Sequence, residues 1–499
     1  MKKIIFSAAM TAILFASCAK EEYVGNNNPE MVPFEVVLEN ELASDPDSKV
    51  WLNTSDLTLK WASNDEFSVF DGVVTTDGGT KFTVSEGGST SSCKLSGEIS
   101  PSASGPIYFL YPYQTFTATR GKTNTYKTNI SDGIIFPVDA PFMYSTTPGV
   151  LPVKSLMLVG KMPSKDSNEP VTMKTPMGFV KLHLDAGDAH PVTKIELTYQ
   201  LSGFIGGTVA LDCNGDEPQI IMQGSGTGVF AGDPTLSANQ QMVAYDIVIT
   251  PKNADSFPDG DYYFALPPRT YTKGIRLKFT DDMGYVAQKG GSSDLVVSRA
   301  KVKDLGTVVS DDLEWYESID LRFMDAVLKP VWPFNEEKPS SLAKNSENHF
   351  TYGPDNDEFI FKTGNYDGGL YSQTGLNIKG ASKAAYVEIP GRTGKRITGI
   401  FLRAGAQNSN CGNPFLATTE PETDGKLNIL KKDGTFAWLT IGNVEDNNLI
   451  DAWWSNKQYG WQKRWSDFDT DGEKNYRIYV SASGDFLKII NLLVQYEDL

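Results

Sequence analysis

Apolar and polar residues alternate along this chain in short runs, and the three-to-four spacing of an amphipathic helix is almost absent. The clearest run is Phe179-Val180-Lys181-Leu182-His183-Leu184, in which a polar His183 falls on the outward face. Gly, Asn, Asp and Pro interrupt such runs about every ten residues, the punctuation of all-β sandwiches. The pattern predicts early strands at Phe34 to Leu38, Glu66 to Phe70, Lys81 to Val84 and Ile107 to Leu110. A second group follows from Gly178, with strands at Lys194 to Tyr199, Gly207 to Leu211, Tyr245 to Thr250, Tyr262 to Leu266, Ile275 to Phe279 and Lys303 to Val308. After Ser310-Asp311-Asp312 the chain grows richer in Trp and Asn, and a third group of strands runs to Leu499. Its size suits a jelly-roll sandwich.

The first residues break this pattern. Lys2 and Lys3 precede an apolar run from Ile4 to Ala16, far below the ~20 residues of a spanning helix. Small Ala16 and Ser17 come next, and then Cys18. That order predicts a lipoprotein signal over 1–17, cut before a Cys18 that carries the lipid, although Phe15 stands where Leu is usual. The plainer alternative is an ordinary signal peptide with an incidental cysteine. More than one acyl chain makes such an anchor lasting. The polar stretch that follows, to residue 31, reads as a tether.

Composition narrows the function classes. A chain of 499 residues is too long for one core. Its formal charge of −17 argues against nucleic acid, which needs a basic footprint. Cys93, Cys213 and Cys411 are far apart and odd in number, so no disulfide framework is readable. The three histidines, His183, His190 and His349, show no metalloprotease or zinc-ribbon spacing. No nucleophile-elbow, phosphate-loop or dinucleotide motif is present.

Several blocks resemble the fimbrillin family of Bacteroides-type bacteria. Val50-Trp51-Leu52, Leu59-Lys60-Trp61 and Asn64 to Gly72 resemble its early block, and Tyr108 to Tyr113 its Tyr-rich strand. Gly178 to Leu182, Ile205 to Val209, Tyr262 to Pro268 and Arg299 to Gly306 are similar to its later blocks, so the likeness covers roughly Cys18 to Val308. Ala19-Lys20-Glu21-Glu22 resembles the family's outer-surface address. The resemblance implies two tandem transthyretin-like β-sandwiches, over 32–177 and 178–309, on the outer membrane. In polymerising members a protease cuts behind the first strand, and a neighbouring subunit fills the opened groove by strand addition. Lys49, the one basic residue of the loop Asn40 to Lys49, is the matching candidate for cleavage. An intact first strand in an anchored or tip subunit is the alternative. Trp61, Phe67, Val69 and Phe70 read as core.

The segment 310–499 resembles galactose-binding-like jelly rolls at Tyr386 to Pro390, Tyr476 to Val480 and Lys488 to Val494. Four of the nine tryptophans crowd into Trp453 to Trp465 among Asn, Gln, Lys and Arg. Indoles stack on sugar rings and amides bond hydroxyls, so Trp453, Trp454, Tyr459, Trp461 and Trp465 are candidate glycan contacts. Core packing is the competing reading. Asp467, Asp469 and Asp471 open like a calcium loop, yet Ile478 stands where an EF-hand needs Glu, so a solvated acidic turn competes with a calcium site.

Together these readings predict a non-enzymatic, lipid-anchored surface adhesion protein. The extra C-terminal domain suits a fimbrial tip or accessory subunit. Its partners would be the membrane, other fimbrial subunits and a glycan, without nucleic acid. A glycan-capturing lipoprotein that never polymerises is the alternative, and a glycosidase with carboxylates in the jelly roll a third.

Overall fold

The computed structural model describes residues 31–40, 61–73, 79–87, 92–113, 119–123, 130–138, 146–149, 157–199, 205–222, 243–324, 330–364, 368–371, 375–379, 385–404, 414–419, 424–440, 461–466, 474–480 and 486–499, apart from positions 214, 245, 253, 292, 425 and 432. Within them the chain is all-β, interrupted by one 3-10 turn at Ser310–Asp312. No helix among the described residues is long and apolar enough to cross a membrane.

The first sheet has seven strands in the order Leu158–Met162, Ile107–Tyr111, Glu66–Phe70, Thr80–Glu86, Ser92–Ile99, Val32–Asn40 and Val171–Met173. Its two ends meet, because Val159 and Lys174 exchange backbone hydrogen bonds of 2.8 Å each way. Alternation explains the closure. Trp61, Phe67, Val69, Phe82, Leu95 and Phe109 point into one buried core. Asp71 turns the chain beneath it: its carboxylate accepts the Val73 amide at 2.9 Å and the Ser100 amide at 2.8 Å. Tyr111 donates its hydroxyl to Asp65 at 3.0 Å while its ring packs on Trp61 and Phe67.

Two sheets follow. Gly178–Asp185 lies between Gly260–Leu266 and Val302–Val309, the latter pair parallel. It faces a sheet ordered Asp246–Ile249, Val192–Tyr199, Ile275–Asp281, Val286–Gly290. Ile195, Leu197, Leu277 and Phe279 fill the space between, in a core continuous with that of the first sheet. Another sheet draws on both sides of position 178, since Ile130–Val138 pairs with Gly206–Asp212.

The last part is two antiparallel sheets around a separate core of Phe359, Phe361, Val387, Ile400, Ile478 and Leu492. One is ordered Gly369–Tyr371, Gly375–Lys379, Phe486–Asp498, Lys395–Ala404, Trp461–Ser466, with Glu317–Arg322 also on the long Phe486–Asp498 strand. The other is ordered Glu347–Tyr352, Asp357–Lys362, Tyr386–Ile389, Tyr476–Val480, Pro414–Thr418, Lys426–Leu430, Phe436–Thr440.

Candidate functional site

The first strand is held on both edges. Val32–Asn40 pairs antiparallel with Ser92–Ile99 and, over Leu38 to Asn40, parallel with Val171–Met173. It therefore closes the first sheet. Phe34, Val36 and Leu38 point inward; Glu35 and Val37 point out. Leu38 is fully buried, and Phe34 meets Phe82 edge-on at 6.3 Å. Opposite Phe34 stands Gly97, where a Cβ would lie 2.4 Å from the Phe82 ring, so only glycine leaves room for that ring. Burying three such side chains contributes on the order of 5–8 kcal/mol before ordering entropy is subtracted. Without this strand, two neighbours would present unpaired edges above an open core. Cys18 and Lys49, the candidate lipid and cleavage positions, lie outside the described residues.

The histidines are tied into carboxylate pairs on three separate parts of the fold. His183 meets Asp261 at 2.8 Å, His190 meets Asp281 at 2.7 Å, and His349 meets Glu358 at 3.2 Å. Cys93 and Cys213 are buried, and burial pushes the Cys93 thiol up to about 12, away from reactive thiolate. Cys411 lies outside the described residues. Among the described residues no three metal-ligating side chains converge.

Of the candidate glycan contacts, Trp453, Trp454 and Tyr459 lie outside the described residues, as do Asp467, Asp469 and Asp471. Trp461 opens the strand Trp461–Ser466, opposite Ala404. Trp465 sits in the C-terminal core at 6% exposure, so this indole serves packing.

Sequence reasoning missed a charged joint. The outward face of Val192–Tyr199 and Ile275–Asp281 does not meet water; it meets the outward face of Glu317–Arg322 and Lys395–Ala404. Lys278 binds Glu196 and reaches Asp320 at 2.7 Å. Arg322 binds Glu196 and reaches Asp246 at 3.4 Å, and Arg403 binds Asp246 as well. Lys194 stands 3.6 Å from Glu196 and 3.9 Å from Asp320. Thr198 donates to Asp246 at 2.7 Å and Asn491 to Asp320 at 2.5 Å. Burial alone would raise the Asp320 carboxyl, but Lys278, Lys194 and Arg322 outweigh it and hold Asp320 well below the usual carboxylate range. Asp246 is likewise held low, with Arg403 and Arg322 overcoming its burial. Beside the joint the linker is stitched down: Trp315 stacks on His190 at 4.7 Å, and Tyr316 exchanges backbone hydrogen bonds with Val286.

At one end of this joint three arginines gather. The Arg276 guanidinium lies 5.8 Å from the centroid of the Phe401 ring, and that of Arg464 lies 5.1 Å from the same ring. Phe401 and Arg464 are directly opposite across adjacent strands, and buried Arg403 follows on the Phe401 strand. Burial, then the like charges of Arg464 and Arg403, pull the Arg276 guanidinium down to about 10.

The outer face of the seven-stranded C-terminal sheet carries a second polar and aromatic ladder. Arg477 donates to Glu388 at 2.7 Å and lies over the Tyr386 ring at 4.2 Å. Tyr479 stacks on Phe415 at 5.5 Å. These rings are buried, and a sugar has no open face there on which to stack.

No protein-family model and no curated protein matches the chain. Among solved structures it is similar to a "putative cell adhesion protein" from Bacteroides ovatus, at 11% identity and TM-score 0.34, over 57% of this chain and 95% of that one. It is similar to a fimbrial assembly protein from Parabacteroides distasonis, at 10% identity and TM-score 0.24, over 57% and 95% of the two chains. It is also similar to the tip fimbrial protein Mfa3 from Porphyromonas gingivalis, at 10% identity and TM-score 0.24, over 57% and 98%. At these identities and scores the likeness assigns neither a family nor a function to this chain.

Proposed function

We propose that this chain is a non-enzymatic adhesion protein of the cell surface, anchored by lipid at Cys18 and acting as a fimbrial tip or accessory subunit. Its C-terminal sandwich would contact a glycan through the Trp453 to Trp461 stretch. The observation that carries the reading is the seat of Val32–Asn40. One short strand, held by backbone pairing and three inward apolar side chains, closes a whole core. Such a strand can be withdrawn and replaced by an equivalent from another subunit, because sheet pairing is a backbone property and alternate pockets accept any similar apolar pattern. The loop behind it carries Lys49, where a cut would release it.

The test is to cut the chain with a lysine-specific protease and offer a labelled peptide spanning Val32 to Asn40. Stable uptake by the cut chain and none by a Lys49→Gln chain is the expected outcome. A chain that resists cutting at Lys49, or takes up no peptide once cut, would leave the non-polymerising surface lipoprotein as the better reading.

A further inference from the structure

We infer that the joint between the second sandwich and the C-terminal sandwich is a proton-coupled latch, in which docking the two surfaces drives the proton off Lys278. The charges at the joint do not balance. Among the described residues the second sandwich brings Lys194, Lys278, Glu196 and Asp246, which cancel. The C-terminal sandwich brings Arg322, Arg403 and Asp320, which leave one positive charge over. Arg276 and Arg464, at the Phe401 end, add cations to the same side. Closing the joint therefore holds more positive than negative charge away from water, where like charges repel most.

Only a lysine can relieve that excess, because guanidinium groups keep their proton at any pH the chain meets. Lys194 is half-buried and stands 3.6 and 3.9 Å from its carboxylates. Lys278 is buried between Glu196 on its own sheet and Asp320 across the joint. Directly opposite Lys278 on the next strand stands Gln288, whose buried Nε2 donates to no acceptor among the described residues. An ammonium is itself only a donor, whereas a neutral amine carries a lone pair that can accept from such a group. The carboxylates keep partners when Lys278 is neutral: Asn491 donates to Asp320 at 2.5 Å, and Arg322 binds Glu196. Burial, with Arg322 and Lys194 set against Asp320, pulls the Lys278 ammonium from 10.5 down to about 7. Its other neighbours stay fixed near neutrality. Asp320 and Asp246 are held low, the Tyr352 phenol beside Asp320 is pushed up, and Thr198, Thr280 and Asn491 carry no charge.

In an open joint water reaches Lys278 and its ordinary value returns. The closed joint therefore binds fewer protons between about pH 7 and 10.5. Rising pH favours closure across that window, and below about pH 7 closure opposes the full trapped charge. From pH 6 to 9 closure should strengthen by up to about a hundredfold, roughly tenfold for each unit above 7. Mild acid thus leaves the C-terminal sandwich least firmly fixed on the second.

The experiment follows hydrogen exchange of the full chain by mass spectrometry at pH 6 and pH 9, each rate divided by its intrinsic value at that pH. The amides of Val286 and Tyr316 donate to each other's carbonyls, tying the linker to the second sandwich, and should exchange when the joint opens. Their protection should rise at least about tenfold from pH 6 to 9. Lys278→Met has no charge to trap, so it should remove the rise and be the better protected chain at pH 6. Lys278→Arg cannot shed its proton, so it should remove the rise and be the less protected chain at pH 9. Lys289→Met, which alters an exposed lysine on Val286–Gly290, should keep the rise. No rise in the unaltered chain, or the same rise in the Lys278 variants, would overturn the inference. Equal loss of protection in Lys278→Met and Lys278→Arg at both pH values would make Lys278 a packing residue and overturn it as well. If Lys278→Met does not fold, the unaltered chain and Lys278→Arg decide between these outcomes.

Discussion

Two joins hold this molecule together, and they are built from opposite materials. Val32–Asn40 is clipped into the first sheet by apolar side chains and backbone pairing. The C-terminal sandwich is docked on the second by buried and half-buried charges: Lys194, Lys278, Arg322 and Arg403 against Glu196, Asp246 and Asp320. Apolar burial is non-directional, so one strand can leave and a similar one can take its place. Ion pairs taken from water are geometric, and a misplaced partner leaves a bare charge. The first join is therefore exchangeable by nature, and the second fixes one orientation.

Asp320→Ala should have the largest effect, because it removes the carboxylate that Lys278 and Lys194 meet across the joint and leaves buried Lys278 with Glu196 on its own sheet. Breaking such a pair from one side costs about 3–5 kcal/mol, to be read from denaturant unfolding. If the loss is under about 1 kcal/mol, the joint is solvated and the contrast fails. Acid should reproduce the effect. Asp320 and Asp246 have folded pKa values lowered below their unfolded ones. Their contribution is therefore complete above the unfolded value of about 3.9 and is lost as pH falls below it. The unfolding midpoint should drop on titration from pH 5 to 3, and drop less in Asp320→Asn.

Leu38→Ala should follow, at about 2–4 kcal/mol, through a cavity under the closing strand. It should also speed release of the strand from a chain cut at Lys49. Release at an unchanged rate would mean that backbone pairing alone retains it. Lys94→Ala should matter least. Its ammonium reaches Glu35 of the first strand at 2.7 Å, but the pair is solvent-exposed, and the unfolding midpoint should stay within experimental scatter. A clear shift there would show that charge helps to hold the first strand too.

Much of the first join is legible in the chain. Phe34, Val36 and Leu38 alternate with Pro33, Glu35 and Val37, and this alone assigns the inward face. Trp61, Phe67, Val69 and Phe70 are core, as their pattern implies. The charged joint is illegible for a plain reason. Lys194, Glu196 and Thr198 alternate with Ile195 and Leu197 just as a water-facing strand would. Nothing local distinguishes a polar face that meets solvent from one that meets a second sheet. Trp465 shows the same limit, since an indole in a mixed polar run suits a sugar or a core equally, and its burial depends on strands far away in sequence.

The sequence by itself determined part of the strands, such as Glu66–Phe70 and Gly260–Leu266, with their inward faces, while Ser92–Ile99, Leu158–Met162 and Val286–Gly290 were not marked by it; it also holds no familiar catalytic motif. Those follow from residue type and period, which act over a few neighbours. Only the tertiary structure decided that the first strand closes a ring of seven, that Glu196 and Lys278 answer Asp320 and Arg322, and that Arg276 and Arg464 share one aromatic ring. These are contacts between residues tens to hundreds of positions apart. Their energies depend on burial and mutual geometry, which exist only once the sheets have met.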